Sequence, residues 1–195
     1  MKTTVILSCL LVGSSIGLHT HNSINTAFNA KEIKTTKAAK RVSSKTMPVA
    51  PVRIVVDKSN YELYVYDKLG WFATYPVVFG NNNLDDKKVE GDRKTPEGNF
   101  KIANKRVHEK WDRYMGLDYP TGESLAKFHQ RKKRGEIPAN ASPGGGIGIH
   151  GTWPHEDYVI DRYKNWTNGC IALKNEDVED LYSYIPVGTP ITIQK

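Results

Sequence analysis

Cysteine is scarce in this 195-residue sequence, which contains only Cys9 and Cys170. Two cysteines exclude the multiple-disulfide framework that holds many small secreted domains together. Cys9 lies in an N-terminal segment typical of a signal peptide, and removal of that segment would leave Cys170 without an internal partner. An unpaired thiol in an oxidising compartment is a liability unless it is buried or used in chemistry. Cys170 is therefore the first candidate for a functional residue.

The sequence also lacks an apolar run of the roughly 20 residues that a transmembrane helix needs. The apolar residues that follow Lys2 are Val5, Ile6, Leu7, Leu10, Leu11, Val12 and Ile16. This short stretch, followed by the small residues around Gly17, predicts a secretory signal peptide over residues 1–17 and export of the protein. A buried first helix is the alternative, but no amphipathic period or helix cap supports it. Lipid attachment at Cys9 is a second alternative. The hydrophobic region before this cysteine is too short to support it.

Acidic residues are nearly absent from residues 18–50, where Glu32 stands among six Lys and Arg residues. A polar segment of this kind cannot bury enough apolar surface to fold, so it is predicted to be a basic disordered linker. The formal net charge of +7 comes mainly from this linker, and residues 51–195 are nearly neutral. Because the excess charge is not on a folded face, no nucleic-acid partner is expected. Peripheral contact of the linker with an anionic envelope polymer or membrane surface is the functional alternative to a plain tether.

Residues 51–195 have the size of one ordinary domain, and their pattern is rich in β-strands. Residues 53–57 and 61–66 alternate as two strands joined by a turn, and a third strand follows from Trp71. The clearest helix lies over residues 175–184, with Asn175 as its expected N-cap and an acidic first turn. We therefore predict a mainly β, mixed sandwich or barrel-like domain with one short helix late in the chain.

Metal-binding motifs are missing as well. Zinc peptidases commonly carry two histidines in a His-Glu-x-x-His helix, and this sequence has no such motif. His150 and His155 are five positions apart, which does not fit that geometry. No metal and no cofactor are expected.

The residues around Cys170 favour an accessible thiol over a buried core residue. The preceding residues Asn165-Trp166-Thr167-Asn168-Gly169 are mostly polar and turn-forming, and Gly169 permits close backbone approach. A short apolar segment, 171–173, follows. This arrangement places the thiol at the edge of a site, near backbone N–H groups able to hold an oxyanion.

A thiolate nucleophile requires a base, and His150 is the best candidate. It ends a short apolar strand that lies between glycines, within residues 144–151. Glycines allow close backbone approach and a fixed ring orientation, so His150 is expected to lower the pKa of Cys170 as an ion-pair partner. The other five histidines lie in no comparable pattern and are interpreted as ordinary surface or core residues.

The spacing of these residues resembles the signature of the L,D-transpeptidase catalytic domain of the YkuD type. That signature is a His, a gap of about 14 to 17 residues, then Ser or Thr, usually His, and Gly-Cys. Here sixteen residues separate His150 from Thr167, which opens Thr167-Asn168-Gly169-Cys170. Further similarity lies at residues 56–66, 75–77, 95–100 and 181–193. The resemblance covers nearly the whole domain 51–195.

The resemblance implies cysteine-dependent acyl transfer on peptidoglycan stem tetrapeptides. Cys170 would be the nucleophile, forming a thioester and releasing D-alanine, and His150 the proton donor and acceptor. Gly151 and Thr152 would orient the imidazole of His150, the third role of a catalytic triad. The expected substrate-binding residues are Trp166, Thr167, Asn168 and Gly169. An acceptor amine would then take the acyl group, giving a cross-link or remodelling the wall.

Three departures from the family pattern affect what the resemblance implies. Asn168 stands where the family more often has a second His, and Ala172 where many members carry Arg or Asn. The region from Trp111 to Gly146 is long and is interpreted as a loop that forms a mobile lid or a substrate wall. Two alternatives to transpeptidation remain: a hydrolase on the same fold, either an L,D-carboxypeptidase or an amidase, and a non-catalytic wall-binding domain.

Overall fold

The computed structural model of the chain describes residues 40–41 and 47–195. The predicted signal peptide, 1–17, lies outside the described residues, as does most of the predicted linker, 18–50. No helix within the described part of the chain has both the length and the apolar character that crossing a membrane requires.

Among the described residues, nine strands form one sheet in the order β1-β4-β3-β2-β9-β5-β6-β7-β8. The strands are β1 Lys40–Arg41, β2 Arg53–Asp57, β3 Glu62–Asp67, β4 Gly70–Pro76, β5 Gly98–His108, β6 Asp112–Leu117, β7 Gly148–His150, β8 Ile171–Ala172 and β9 Pro190–Gln194. The helices are α1 Gly122–Lys133, α2 Tyr158–Asp161 and α3 Asn175–Tyr184. The pairs β2–β9 and β7–β8 are parallel, and the other neighbouring strands are antiparallel. The predicted mainly β fold class is confirmed.

The alternating sequence pattern determines which face of each strand is buried. Ile54 and Val56 on β2, and Leu63 and Val65 on β3, point into the core, while their neighbours are more exposed. Helix α3 adds Val178 and Leu181, among other side chains, to the same core. The predicted opening strands and the predicted strand at the end of the chain are therefore confirmed.

Strand β5 connects the two halves of the sheet, because it is long enough to pair with different partners at its two ends. Residues 98–101 pair with β9, whereas residues 102–108 pair with β6. A register shift between Ile102 and Asn104 marks the change of partner. Irregularities of this kind bend a strand and increase its twist, so β6, β7 and β8 form a separate part of the sheet.

Helix α3 has the predicted bounds but a different N-terminal cap. Asn175 is the first helical residue, and Lys174 occupies the cap position without a side-chain hydrogen bond. Instead, Asp157 Oδ1 accepts a hydrogen bond from the Asn175 N–H at 3.0 Å. A carboxylate from the loop that follows β7 thus stabilises the positive end of the helix.

The prediction of a loop from Trp111 to Gly146 is wrong, because this region contains β6 and α1. Thr121 caps α1 by accepting a hydrogen bond from the Ser124 N–H, and Glu123 lies in the first turn. Basic residues 131–133 form the last turn, which suits the helix dipole. The cap at Thr121 and the charge asymmetry were visible in the sequence. They were overlooked because Phe128 is the only buried side chain of the helix, so no apolar period appears.

Part of the predicted disordered linker is ordered in the structure. Lys40–Arg41 forms β1, which pairs with β4 at the edge of the sheet. Pairing at a sheet edge uses backbone N–H and C=O groups, so it does not require the apolar side chains that the linker lacks. Close to the domain, the Val49 N–H donates a hydrogen bond to Asp67 Oδ2 at 2.9 Å.

Lys58 is a buried cation that joins two loops, and its replacement is expected to destabilise the fold. Its side chain is 1% exposed, and Nζ lies 2.8 Å from Glu97 Oε1 and 3.2 Å from the Thr95 carbonyl. Lys58→Met leaves both acceptors without this donor, so we expect the free energy of unfolding to fall by about 2 kcal/mol. Urea denaturation measures the change. Lys68→Met, at an exposed turn, is the control, and equal losses in both variants would contradict the prediction.

Candidate active site

Parallel pairing of β7 and β8 brings the two candidate reactive residues onto neighbouring strands. Ile149 pairs with Ile171 and His150 with Ala172, so Cys170, one residue before β8, lies opposite Gly148. Side chains two residues apart on a strand point to the same face. His150 and Cys170 are therefore diagonal neighbours on one face, although sixteen residues separate His150 from Thr167 in the sequence.

The Cys170 side chain is half-buried and forms no disulfide within the described chain. Its Sγ–H donates a hydrogen bond to the Gly146 carbonyl at 3.5 Å. Burial raises the pKa of the thiol, while a hydrogen bond from the Gly148 backbone and the charge of Lys87 act in the opposite direction. The net effect favours the protonated form of the thiol.

His150 is buried, with 2% of its surface exposed. Its Nδ1 lies 2.7 Å from the Gly151 carbonyl oxygen, which can only accept a hydrogen bond. Nδ1 therefore carries the proton, and Nε2 is left as the basic nitrogen. The pKa of His150 is lowered to about 4, mainly by burial; the hydrogen bond to Gly151 acts in the opposite direction, and the charge of His108 adds a smaller lowering.

The expected ion pair between His150 and Cys170 is not what the structure favours. Burial disfavours the charged form of both groups, so it raises the thiol pKa and lowers the imidazole pKa. That His150 lowers the pKa of Cys170 as an ion-pair partner stays a prediction. Burial thus acts against charge on both residues, and Nε2 of His150 is the ring nitrogen that is able to accept a proton.

Aromatic rings surround the imidazole of His150. Trp111 stacks on it with ring centroids 4.6 Å apart, and Trp166 meets it edge-on at 5.6 Å. Tyr114 lies almost parallel to it, 6.4 Å away, and donates a hydrogen bond to the Gly146 carbonyl at 3.1 Å. Gly146 thus accepts hydrogen bonds from both Tyr114 and Cys170. Trp166 was a predicted site residue, whereas Trp111 and Tyr114 were not recognised from the sequence.

The expected orienting residues have different partners. Gly151 contacts the His150 ring through its carbonyl, whereas the hydroxyl of Thr152 donates a hydrogen bond to Asp157. Asp157 also accepts the Asn175 N–H, so its carboxylate joins the segment after His150 to α3. Through its hydrogen bond to Asp157, the Thr152 side chain therefore anchors the backbone just after His150.

The turn before Cys170 is shaped by Thr167 and Gly169. The buried Thr167 hydroxyl donates to the Cys170 carbonyl at 2.8 Å and accepts the Gly169 N–H at 3.2 Å. The N–H of Gly169 is therefore used inside the turn. Of the backbone donors expected to hold an oxyanion, those of Asn168 and Cys170 remain. Asn168 is exposed and stands at the edge of a cleft.

This cleft has a volume of about 390 Å³ and lies next to the turn that carries Cys170. Its lining residues are Lys87, Glu90, Gly91, Arg93, Gly144, Gly145 and Asn168. Arg93 also supports the turn, because its guanidinium donates hydrogen bonds to the carbonyls of Trp166 at 3.0 Å and Thr167 at 3.2 Å. Neither Lys87 nor Arg93 was recognised from the sequence, where both belong to a charged loop far from Cys170.

Ala172, one of the departures from the family pattern, lies in an apolar cluster. Its side chain is fully buried and packs with Val78, Val159 and Ile160. Val159 and Ile160 come from α2, which covers this end of the sheet. A long polar side chain at position 172 would have to displace that helix, so the alanine is matched to its surroundings.

Gly169 is the position of this turn where a larger residue is expected to be most damaging. Its φ of +121° is unfavourable for other residues, and an added Cβ would lie 2.7 Å from the Lys94 carbonyl oxygen. Because the contact is with backbone, Gly169→Ala must shift the turn, and we expect acylation of Cys170 to slow about 100-fold. Intact mass spectrometry of the acyl-enzyme over time measures the rate. Gly122→Ala, where the added Cβ meets no described atom within 4 Å, is the control. A rate equal to that of the control would contradict the prediction.

The described chain is thus a mainly β domain in which a thiol just before β8 and a buried imidazole at the end of the neighbouring parallel strand β7 form a candidate Cys–His site. The chain belongs to the L,D-transpeptidase catalytic domain family (YkuD), whose family model matches residues 51–193. The resemblance inferred from the sequence is thereby confirmed.

The chain is also similar to individual proteins, in sequence or in fold. The Bacillus subtilis (strain 168) protein YqjB is 30% identical over an alignment of 121 positions, and the match covers 55% of this chain and 61% of YqjB. The structure resembles the helical cell shape determining protein Pgp2 from Campylobacter jejuni, with a TM-score of 0.53 and 24% identity, over 74% of this chain and 47% of Pgp2. It also resembles Bd1075 from Bdellovibrio bacteriovorus, with a TM-score of 0.51 and 20% identity, over 80% of this chain and 54% of Bd1075. The chain thus spans roughly half to three fifths of these relatives.

Proposed function

We propose that this protein is an L,D-transpeptidase that transfers an acyl group from a peptidoglycan stem tetrapeptide through a thioester on Cys170. The observation that carries the proposal is the diagonal placement of Cys170 and His150 on one face of the parallel pair β7–β8. Membership of the family supplies the substrate class.

In the proposed first step, the Cys170 sulfur attacks the carbonyl carbon of the peptide bond that precedes the terminal D-alanine. His150 Nε2 takes the thiol proton as the sulfur–carbon bond forms, and the backbone N–H groups of Asn168 and Cys170 hold the oxyanion. The imidazolium then gives this proton to the departing amine. D-Alanine leaves, and a thioester on Cys170 remains.

In the proposed second step, an acceptor amine attacks the thioester carbonyl and His150 takes a proton from that amine. The carbon–sulfur bond breaks, and the proton returns to the sulfur, which regenerates the thiol and the neutral imidazole. The Gly151 carbonyl keeps the proton on Nδ1 throughout, so Nε2 performs both transfers. With the amine of a second stem peptide, the product is a cross-link.

We further propose that the domain acts outside the cytoplasm, in the periplasm or cell wall. The signal peptide predicted over residues 1–17 supports export, and the basic linker over residues 18–50 supports weak contact with an anionic envelope polymer. Residues 51–195 would then form the catalytic domain. Cell-wall remodelling and an effect on cell shape fit the substrate class, and the structurally similar Pgp2 is described as a cell shape determining protein.

Incubation of the purified protein with defined tetrapeptide muropeptides tests the proposal. Mass spectrometry should detect a cross-linked dimer together with free D-alanine. Release of D-alanine without a dimer would indicate an L,D-carboxypeptidase instead of a transferase. Cleavage elsewhere in the wall peptide would indicate an amidase. If no product forms while Cys170 is kept reduced, the enzymatic proposal is wrong, and a wall-binding domain becomes the better description.

A further inference from the structure

Three aromatic rings form a stack that extends from the surface to His150. The His108 and Trp111 ring centroids are 4.4 Å apart with an interplanar angle of 14°. The Trp111 and His150 centroids are 4.6 Å apart with an angle of 25°. Trp111 therefore covers one face of the imidazole, and His108 covers the opposite face of the indole.

The fold holds Trp111 at this position through its backbone as well as its ring. Trp111 lies in the tight connection between β5 and β6, just before Asp112, whose φ of +58° turns the chain. Its carbonyl accepts a hydrogen bond from the Gly151 N–H at 3.0 Å. The same residue thus contacts the His150 ring and the backbone immediately after it.

The other contacts of His150 leave one rotation for Trp111 to control. The Gly151 carbonyl binds Nδ1, and Trp166 closes one side of the ring edge-on. Tyr114 lies almost parallel to the imidazole, but at 6.4 Å it is farther away than Trp111 at 4.6 Å. None of these other three residues holds the tilt of the ring plane about the Nδ1 hydrogen bond as closely as Trp111. A flat indole within stacking distance holds this tilt, because tilting the imidazole would break the contact along its whole face.

We propose that Trp111 is a positioning residue for the proposed acyl transfer through Cys170, on which this inference rests. Trp111 fixes the plane of the His150 ring and therefore the direction of Nε2. Trp111 also keeps water from that face of the imidazole. This exclusion accords with the burial that lowers the pKa of His150. Trp111 does not touch the reacting atoms itself and acts through the imidazole.

Other titratable groups lie on the segments around this stack, and they bear on any pH readout. They are His108 and Lys110 at the β5–β6 connection, Asp112 and Arg113 on β6, Asp157 after β7, Cys170 before β8, and Glu179 on α3. Arg113 forms ion pairs with Asp112 and Glu179. Replacing an uncharged tryptophan leaves all of these charges in place, so a change in His150 can be attributed to loss of the ring.

Two variants and two measurements test the proposal, with Trp111→Leu removing the aromatic face and Trp111→Phe keeping a smaller one. The first measurement is NMR of histidine-labelled protein, with the His150 signal assigned from His150→Gln. Ring current from the indole should shift that signal in the wild type, and Trp111→Leu should lose the shift and raise the His150 pKa towards 6.5. Trp111→Phe should fall between the two. This measurement requires no enzymatic activity.

The second measurement is the rate of D-alanine release from a tetrapeptide muropeptide as a function of pH. Trp111→Leu should slow the reaction roughly 10- to 100-fold at saturating substrate, with KM nearly unchanged, and should move the acid limb of the profile to higher pH. Trp111→Phe should recover part of the rate. Trp71→Leu, an exposed tryptophan on β4, should match the wild type.

The outcomes separate this inference from the function on which it rests. A wild-type His150 signal without the ring-current shift would show that the stack does not form, and the inference would fail. If the NMR result is as expected but the wild type releases no D-alanine, the proposed function fails instead. If the wild type is active and Trp111→Leu has the same rate and the same pH profile, Trp111 has no positioning role.

Discussion

We expect Cys170→Ala to abolish detectable D-alanine release and cross-link formation. The reason is that the proposed thioester requires the Cys170 sulfur, and the described part of the chain holds no other thiol. Losing the nucleophile of a comparable catalytic unit costs about six orders of magnitude in turnover. A carbapenem gives an independent readout: intact mass should show one covalent adduct on the wild type and none on Cys170→Ala.

Cys9 provides a matched control for this experiment, because it is the second thiol of the full chain. Cys9→Ser should keep both the turnover and the adduct, and peptide mapping of the wild type should place the adduct on Cys170. Turnover that survives in Cys170→Ala would show that the nucleophile has been assigned to the wrong residue.

His150→Gln should lower turnover by about 10²- to 10⁴-fold, the range typical of a lost general base. The glutamine side chain retains polarity and approximate size but cannot carry a proton between the thiol and the leaving amine. Cys170 itself remains, so a slow reaction of the small thiolate fraction should persist. D-Alanine release under substrate saturation measures the effect. His129→Gln, at an exposed position on α1, should leave turnover unchanged.

The pH dependence of the wild type gives a second test of the same residue. A base must be unprotonated to act, and burial lowers the pKa of His150 to about 4, below the ordinary 6.5. As the pH falls, His150 therefore stays neutral through 6.5 and becomes protonated only near 4. The acid limb of kcat/KM should lie near pH 4 to 5, and a limb near 6.5 would contradict a buried neutral base.

Local sequence patterns were sufficient for the opening strands β2 and β3, for the final strand β9 and for the helix over residues 175–184, but not for β1 or β6. Alternation of apolar residues in β2 and β3 predicts strands because each strand buries one face against the core. Helix α1 was missed for the opposite reason, since only Phe128 of its twelve residues is buried. A solvated helix of this kind is recognised by its cap and terminal charges, and Thr121 and Glu123 were present as those signals.

The supporting residues of the site were not predictable from local patterns. Trp111 lies 39 positions before His150 in the sequence, and Arg93 lies 73 positions before Trp166, yet each pair is in contact. These contacts depend on how β5 turns into β6 and on where the loop before β5 packs. Neither depends on a periodicity or a cap within a short segment.

The sequence by itself determined the two candidate reactive residues and the family, because a Gly-Cys turn at a fixed distance from a His is a property of the chain order. Only the tertiary structure decided the surroundings that act on the ionisation of that pair. Burial between β7, β8 and the rings of Trp111, Tyr114 and Trp166 removes water, and loss of water disfavours the charged form of both Cys170 and His150. An ion pair was expected from residue types alone, whereas the fold favours a neutral thiol beside a neutral base.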